Sequence, residues 1–204
     1  MINISKVYFK YGTVNSGKSL DLLKTAYNFI KQDKKILIFT SNKDNREGVG
    51  KVNSRIGIEQ QAEVIEDKTN IKMLIDAQRP DIVLCDECQL YEDQNIIDLI
   101  SGCHLNNIPI IFYGLKSNFK GVLFSSSQIL LTMADKIEEI KTICWFCNRK
   151  AMLNLKIKDG EPMFEGKEIE IGGIEKYLPV CRHHFIYPPK EKISKESEEN
   201  ETNN

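Results

Sequence analysis

Over the first two-thirds of the chain, short apolar runs alternate with stretches whose apolar residues recur every three or four positions. Val7-Tyr8-Phe9 is apolar and closes at Tyr11-Gly12. Lys18 to Gln32 then reads as an amphipathic helix, with Leu22, Leu23, Ala26, Tyr27 and Ile30 on one face. Ile36 to Phe39 predicts a second buried strand, and the polar, glycine-containing stretch Ser41 to Gly57 predicts a loop. Ala62 to Ile65 predicts a short strand, and Ile71 to Gln78 a helix that stops before Pro80. Ile82 to Cys85 is a third strong strand, Gln94 to Cys103 a helix, Ile108 to Tyr113 a fourth strand and Ser126 to Ala134 a helix. Strands that alternate with helices predict an α/β fold, a parallel sheet with helices on both faces.

The pattern changes after about Lys141. Cysteine pairs and glycines appear, with a short β-like run from Met152 to Ile157, which predicts a small, loop-rich second module. Lys190 to Asn204 is charged and polar apart from Ile193, so residues 190–204 are expected to be a disordered tail. The expected division is therefore 1–141, 142–189 and 190–204.

The 204 residues are enough for one full core plus a small appendage. The formal net charge of −1 carries no global basic footprint for nucleic acid. No apolar run approaches the roughly 18–20 residues that span a bilayer, so no membrane association is expected. The first residues lack the plan of a signal peptide, which predicts a cytoplasmic location. In a reducing compartment six cysteines more often hold metal than form disulfides.

Three constellations carry chemistry. Gly12-Thr13-Val14-Asn15-Ser16-Gly17-Lys18-Ser19 fits G-x-x-x-x-G-K-[ST], with a strand before it and a helix after it. The glycines let backbone N–H groups turn inward onto phosphate oxygens. The helix N-terminus adds a positive dipole end. Lys18 brings charge to the β- and γ-phosphates, and the Ser19 hydroxyl can ligate Mg²⁺. This predicts a P-loop, RecA-like ATP-binding unit.

The second constellation is Asp86-Glu87, directly after the third strong strand. A carboxylate at the C-terminal end of a parallel strand faces the ligand crevice. Asp86 can hold Mg²⁺, leaving Glu87 free to accept a proton from an attacking oxygen. The string Asp-Glu-Cys-Gln also matches the acidic box of helicases, but a helicase core needs two lobes of about 300 residues in all. The third is the pair Cys144-x-x-Cys147 and Cys181-x-x-His184, with the spacing of a closed, structural zinc site. His183 stands beside His184 as an alternative fourth ligand. Cys85, Cys88 and Cys103 are read as core thiols.

In this order, these features make the chain resemble the thymidine kinase family whose second module is a zinc-bearing lasso. The resemblance runs from about Val7 to Phe185. The family's G-P-M-F-[SA]-G-K-[ST] is Gly12 to Ser19 here, its D-E-x-Q-F-F is Asp86 to Tyr91, and its G-L-D-x-x-F-[RK]-G-x-P-F is Gly114 to Phe124. Ile171-Gly172-Gly173 and Tyr177 precede Val180-Cys181-Arg182.

The resemblance implies transfer of the γ-phosphate of ATP to the 5′-hydroxyl of thymidine, and of deoxyuridine. It implies Glu87 as general base. It implies that Gly12 to Ser19, Asp86, Gln89, Asp44 and Arg46 sit around the triphosphate and Mg²⁺. Leu115, Phe119 and Phe124 would wall the nucleoside, and a lasso from Glu165 to Tyr177, with Ile171, Gly172, Gly173 and Tyr177, would close over it. A homotetramer with feedback inhibition by thymidine triphosphate is also implied. The chain departs from the pattern at Thr13-Val14-Asn15, at Leu90-Tyr91, and at Lys116, where a lysine stands in place of aspartate. An ATPase, or a nucleoside kinase of altered specificity on the same scaffold, is the alternative.

Overall fold

The computed structural model describes residues 5–43, 50–54, 57–66, 69–166 and 176–189. Asp44, Arg46, Ile171, Gly172, Gly173 and the segment 190–204 lie outside the described residues.

The elements in chain order begin with β1 (Val7–Tyr11), α1 (Lys18–Ile30), β2 (Ile36–Ser41), β3 (Lys51–Asn53), β4 (Glu59–Gln61) and β5 (Glu63–Ile65). There follow α2 (Ile71–Gln78), β6 (Ile82–Cys85), a 3₁₀ turn (Cys88–Leu90), α3 (Asp93–Leu105), β7 (Ile110–Gly114), α4 (Ser125–Met133) and β8 (Lys136–Glu139). The chain then enters β9 (Leu153–Lys158), β10 (Glu161–Met163), β11 (Lys176–Val180) and α5 (Arg182–Ile186).

Six strands form one sheet in the order β5-β2-β6-β7-β1-β8, and every pairing in it is parallel. Its central strands are apolar along their whole length because both faces are covered. The two faces still sort by alternation. Val7, Phe9, Leu37, Phe39, Val83, Cys85, Ile110 and Phe112 point to one side, where α2, α3 and α4 bring Ile75, Ile96, Leu99 and Leu130. Ile38, Ile82, Leu84, Ile111 and Tyr113 point to the other, under Leu22, Leu23 and Ala26 of α1. Each helix therefore needs only one apolar stripe.

Local signals set the boundaries. Asn70 caps α2 by accepting from Met73 N–H at 3.0 Å. Arg79 ends α2 in the left-handed region at φ 45°. The fourth strand enters the sheet at Ile110, two residues later than expected. Pro109 has no N–H to give a ladder, although its carbonyl still accepts from Val83 N–H at 3.0 Å.

Two elements correct the sequence reading. Part of the expected Ser41–Gly57 loop pairs, as β3 joins β4 in an antiparallel hairpin that buries Val52 against α1's face of the sheet. Strand β8 was not anticipated. Lys136-Ile137-Glu138-Glu139 carries one apolar residue, because an edge strand can leave its side chains in water.

A second, three-stranded antiparallel sheet has the order β10-β9-β11. Leu153, Leu155 and Ile157 of β9 pack with Leu178, Val180, Cys144 and Cys181. By alternation, Asn154 and Lys156 project from the opposite side of β9, toward Val14 and Phe119. None of the described helices is long and apolar enough to cross a membrane.

Candidate active site

The Gly12–Ser19 segment leaves the C-terminal end of β1 and curls before α1. Gly12 N–H donates to Gly114 O at 3.2 Å, which pins the loop's start to the neighbouring strand. A Cβ on Gly12 would lie 2.2 Å from Ser16 Oγ and 2.7 Å from Ile140 O, so the turn admits only glycine there. Asn15 and Gly17 both take positive φ, at 59° and 88°. Asp21 N–H makes the first bond of α1, to Gly17 O at 3.0 Å. The N–H groups just before Asp21 thus have no acceptor within the helix and point at the loop's hollow. Lys18 is 7% exposed, and its ammonium donates to Thr13 O at 3.0 Å, inside the loop. The hydroxyls of Thr13 and Ser16 are buried with no hydrogen-bond partner among the described residues.

Asp86 and Glu87 follow β6, two strands away from β1 in the sheet. The order β6-β7-β1 nevertheless brings Asp86 to the loop, and Ser19 Oγ donates to Asp86 Oδ2 at 3.2 Å. The other oxygen, Asp86 Oδ1, is buried with no hydrogen-bond partner among the described residues. Burial pushes the Asp86 carboxyl up to about 7, with the Glu87 charge adding to the rise and Lys18 opposing it. A hydroxyl and a carboxylate with one spare oxygen form a hard-oxygen donor set that fits Mg²⁺.

Glu87 takes φ 47°, a left-handed conformation costly for a residue with a Cβ. Gln89 Nε2 donates to Glu87 Oε2 at 2.5 Å, while Gln89 Oε1 accepts from Leu115 N–H at 2.9 Å. One amide side chain thus fixes the Glu87 carboxylate and the start of the Leu115–Phe124 loop. Gly114 makes room for it, since a Cβ there would meet Cys88 Sγ at 2.5 Å and Gln89 Oε1 at 2.6 Å. Burial raises the Cys85, Cys88 and Tyr91 side chains well above their ordinary pKa values, so all three stay neutral beneath the acid pair.

Phe119 and Phe124 are buried, and Phe119 lies 6.3 Å from Tyr177 between ring centroids. Leu115 is half-buried at the loop's start. Two residues absent from the sequence reading join this region. Asn154 Oδ1 accepts from Val14 N–H at 2.9 Å, and the Lys156 ammonium sits 4.8 Å from the centre of the Phe119 ring. The polar-apolar alternation Leu153-Asn154-Leu155-Lys156-Ile157 was the signal for them. It says that one side of this strand is not core, and only the fold says what that side meets. Lys116 places its ammonium 5.2 Å from the centre of the Tyr11 ring, in a cleft shared with Gly12, Thr13, Glu139 and Asn154.

The ligand atoms of Cys144, Cys147, Cys181 and His184 all lie within 4.8 Å of one another, a set that could hold a metal ion. His184 Nδ1 is 3.3 Å from Cys144 Sγ and 3.6 Å from Cys181 Sγ, and the Cys147 and Cys181 sulfurs are 3.9 Å apart. His183 instead meets the His184 ring edge-on and the Tyr187 ring at a tilt. Three thiols and an imidazole fit tetrahedral zinc.

The sequence profile described as thymidine kinase matches residues 5–185. A thymidine kinase of Lactiplantibacillus plantarum is 47% identical over 189 residues, which cover 92% of this chain and 98% of that protein. One of Enterococcus faecalis is 46% identical, over 91% of this chain and 96% of its own length. One of Streptococcus thermophilus is 46% identical, over 93% and 98%.

Proposed function

This chain belongs to the thymidine kinase family, and from that membership we propose that it transfers the γ-phosphate of ATP to the 5′-hydroxyl of thymidine and deoxyuridine. The observation that carries the proposal is the contact of Ser19 with Asp86, which ties the first acid of the Asp86-Glu87 pair to the Gly12–Ser19 loop.

The loop's inward amides hold the β- and γ-phosphates, and Lys18 turns from Thr13 O to the phosphate oxygens. Ser19 and Asp86 would hold Mg²⁺, whose charge would offset that of the phosphates. Lys18 favours the ionised form of Asp86 against the burial that disfavours it, and a bound Mg²⁺ would add to that. Glu87, held by Gln89, takes the proton of the 5′-hydroxyl as the oxygen attacks the γ-phosphorus and the bond to the β-phosphate oxygen breaks. Leu115, Phe119, Phe124 and Tyr177 enclose the nucleoside. Family resemblance adds Asp44 and Arg46 at the phosphates and Ile171-Gly172-Gly173 on the thymine edge. The Cys144, Cys147, Cys181 and His184 site holds structural zinc, because four protein ligands leave no open position for water.

Residues 1–141 then form the ATP-binding unit and 142–189 the zinc-bearing lasso unit. A cytoplasmic homotetramer inhibited by thymidine triphosphate completes the reading by resemblance.

The test is incubation with MgATP and a panel of nucleosides, with products identified by mass. Thymidine monophosphate and ADP in equal amounts are expected. ADP release that ignores thymidine would instead establish an ATPase.

A further inference from the structure

The bond from Val14 N–H to Asn154 Oδ1 joins the tip of the Gly12–Ser19 loop to β9 across a separation of 140 residues. Asn154 is 3% exposed and sits on the central strand of its sheet, opposite Pro179 of β11. Its neighbour Leu155 is fully buried in the cluster that contains Cys144 and Cys181. The acceptor is therefore fixed by backbone pairing and by packing on the far side of the strand. The loop tip has less support of its own. A turn bond from Ser16 N–H to Thr13 O measures 3.3 Å, and the Lys18 ammonium shares that carbonyl. Asn15, next to Val14, holds a left-handed conformation. When Lys18 turns to a phosphate it releases Thr13 O. The Asn154 bond involves neither Lys18 nor Thr13 O.

We propose that Asn154 is a positioning residue for the phosphate loop: it holds Val14 so that the tip stays open over the triphosphate, and the small sheet thereby sets the loop's affinity for MgATP. The inference rests on the reading of Gly12–Ser19 as a triphosphate loop and is independent of which nucleoside is phosphorylated.

Asn154→Leu keeps the side chain's size and removes the acceptor, which leaves the half-buried Val14 N–H without that partner. In the full-length, zinc-loaded protein, titration with a fluorescent ATP analogue and Mg²⁺ should show Kd raised roughly 5- to 10-fold. Deuterium exchange at the Val14 amide, resolved by fragmentation mass spectrometry, should speed up by about the same factor. Asn154→Asp retains an oxygen at the same position and should retain the slow exchange. Unchanged nucleotide affinity and unchanged exchange in Asn154→Leu would overturn the proposal, as would an effect on thymidine binding alone. Should the Leu variant fail to fold, the natural chain and Asn154→Asp decide. Slow Val14 exchange in both supports the bond, and fast exchange in the natural chain refutes it. No readout here involves phosphoryl transfer. Normal Asn154-dependence of nucleotide affinity without nucleoside phosphorylation would remove the kinase reading and leave this one intact.

Discussion

Replacing Asp86 with asparagine should make the nucleotide-free protein more stable above neutral pH while it abolishes transfer. The Asp86 carboxyl is 5% exposed, carries one oxygen with no hydrogen-bond partner among the described residues, and is raised by burial from 3.8 to about 7. Below about pH 4 the carboxyl is protonated in both the folded and unfolded chains. Between about 4 and 7 the folded chain keeps a proton that the unfolded chain has lost, so stability falls as pH rises through that window. The full difference is on the order of 4 kcal/mol. The amide of Asp86→Asn stands in for the neutral carboxyl and can still accept from Ser19, and the opposing effects of Lys18 and of the Ser19 bond are already contained in the raised value. The expected gain is therefore on the order of 4 kcal/mol at pH 8, or roughly 8–16 °C in Tm for a chain of this size, shrinking below about 1 kcal/mol near pH 4. Urea unfolding of both proteins across that range, without Mg²⁺ or nucleotide, measures it. Parallel stability-pH profiles for the two proteins would refute the assignment of a destabilising buried carboxylate to Asp86.

Glu87→Gln preserves an acceptor for Gln89 Nε2 and removes the proposed base, so kcat should fall roughly 10²-fold or more with ATP affinity retained; near-normal turnover would discard that role. Gly114→Ala drives a methyl into Cys88 Sγ and Gln89 Oε1, and should cost about 2 kcal/mol in urea unfolding along with a loss of kcat as Gln89 is displaced from Glu87. Chelation of zinc should loosen the small sheet by circular dichroism and weaken thymidine binding more than ATP binding. Unaltered thymidine affinity in demonstrably metal-free protein would contradict the structural role given to the four ligands.

The chain order of residues determined a good deal by itself. Ile82 to Cys85 and Ile71 to Gln78 form elements with the bounds that the pattern predicts, because continuous apolar runs and a proline stop are local signals. The grouping of Gly12 to Ser19 was legible for the same reason, since a turn between a strand and a helix needs no distant partner. The spacing of Cys144, Cys147 and Cys181 was also local, but the pattern alone left His183 and His184 open; the fold turns His184 toward the thiols.

Strand β8 and the β3–β4 hairpin were not legible, because edge strands and polar hairpins draw their stability from pairing rather than from an apolar pattern. The meeting of Ser19 with Asp86 depends on strand order, which inserts β7 between β6 and β1 and is written in no short segment. The role of Asn154 was hidden for the same reason. An asparagine in an alternating strand announces an uncovered side, but hydrogen bonds across 140 residues are chosen by how the small sheet meets the loops that follow the strands of the first, and that meeting exists only once the whole chain has folded.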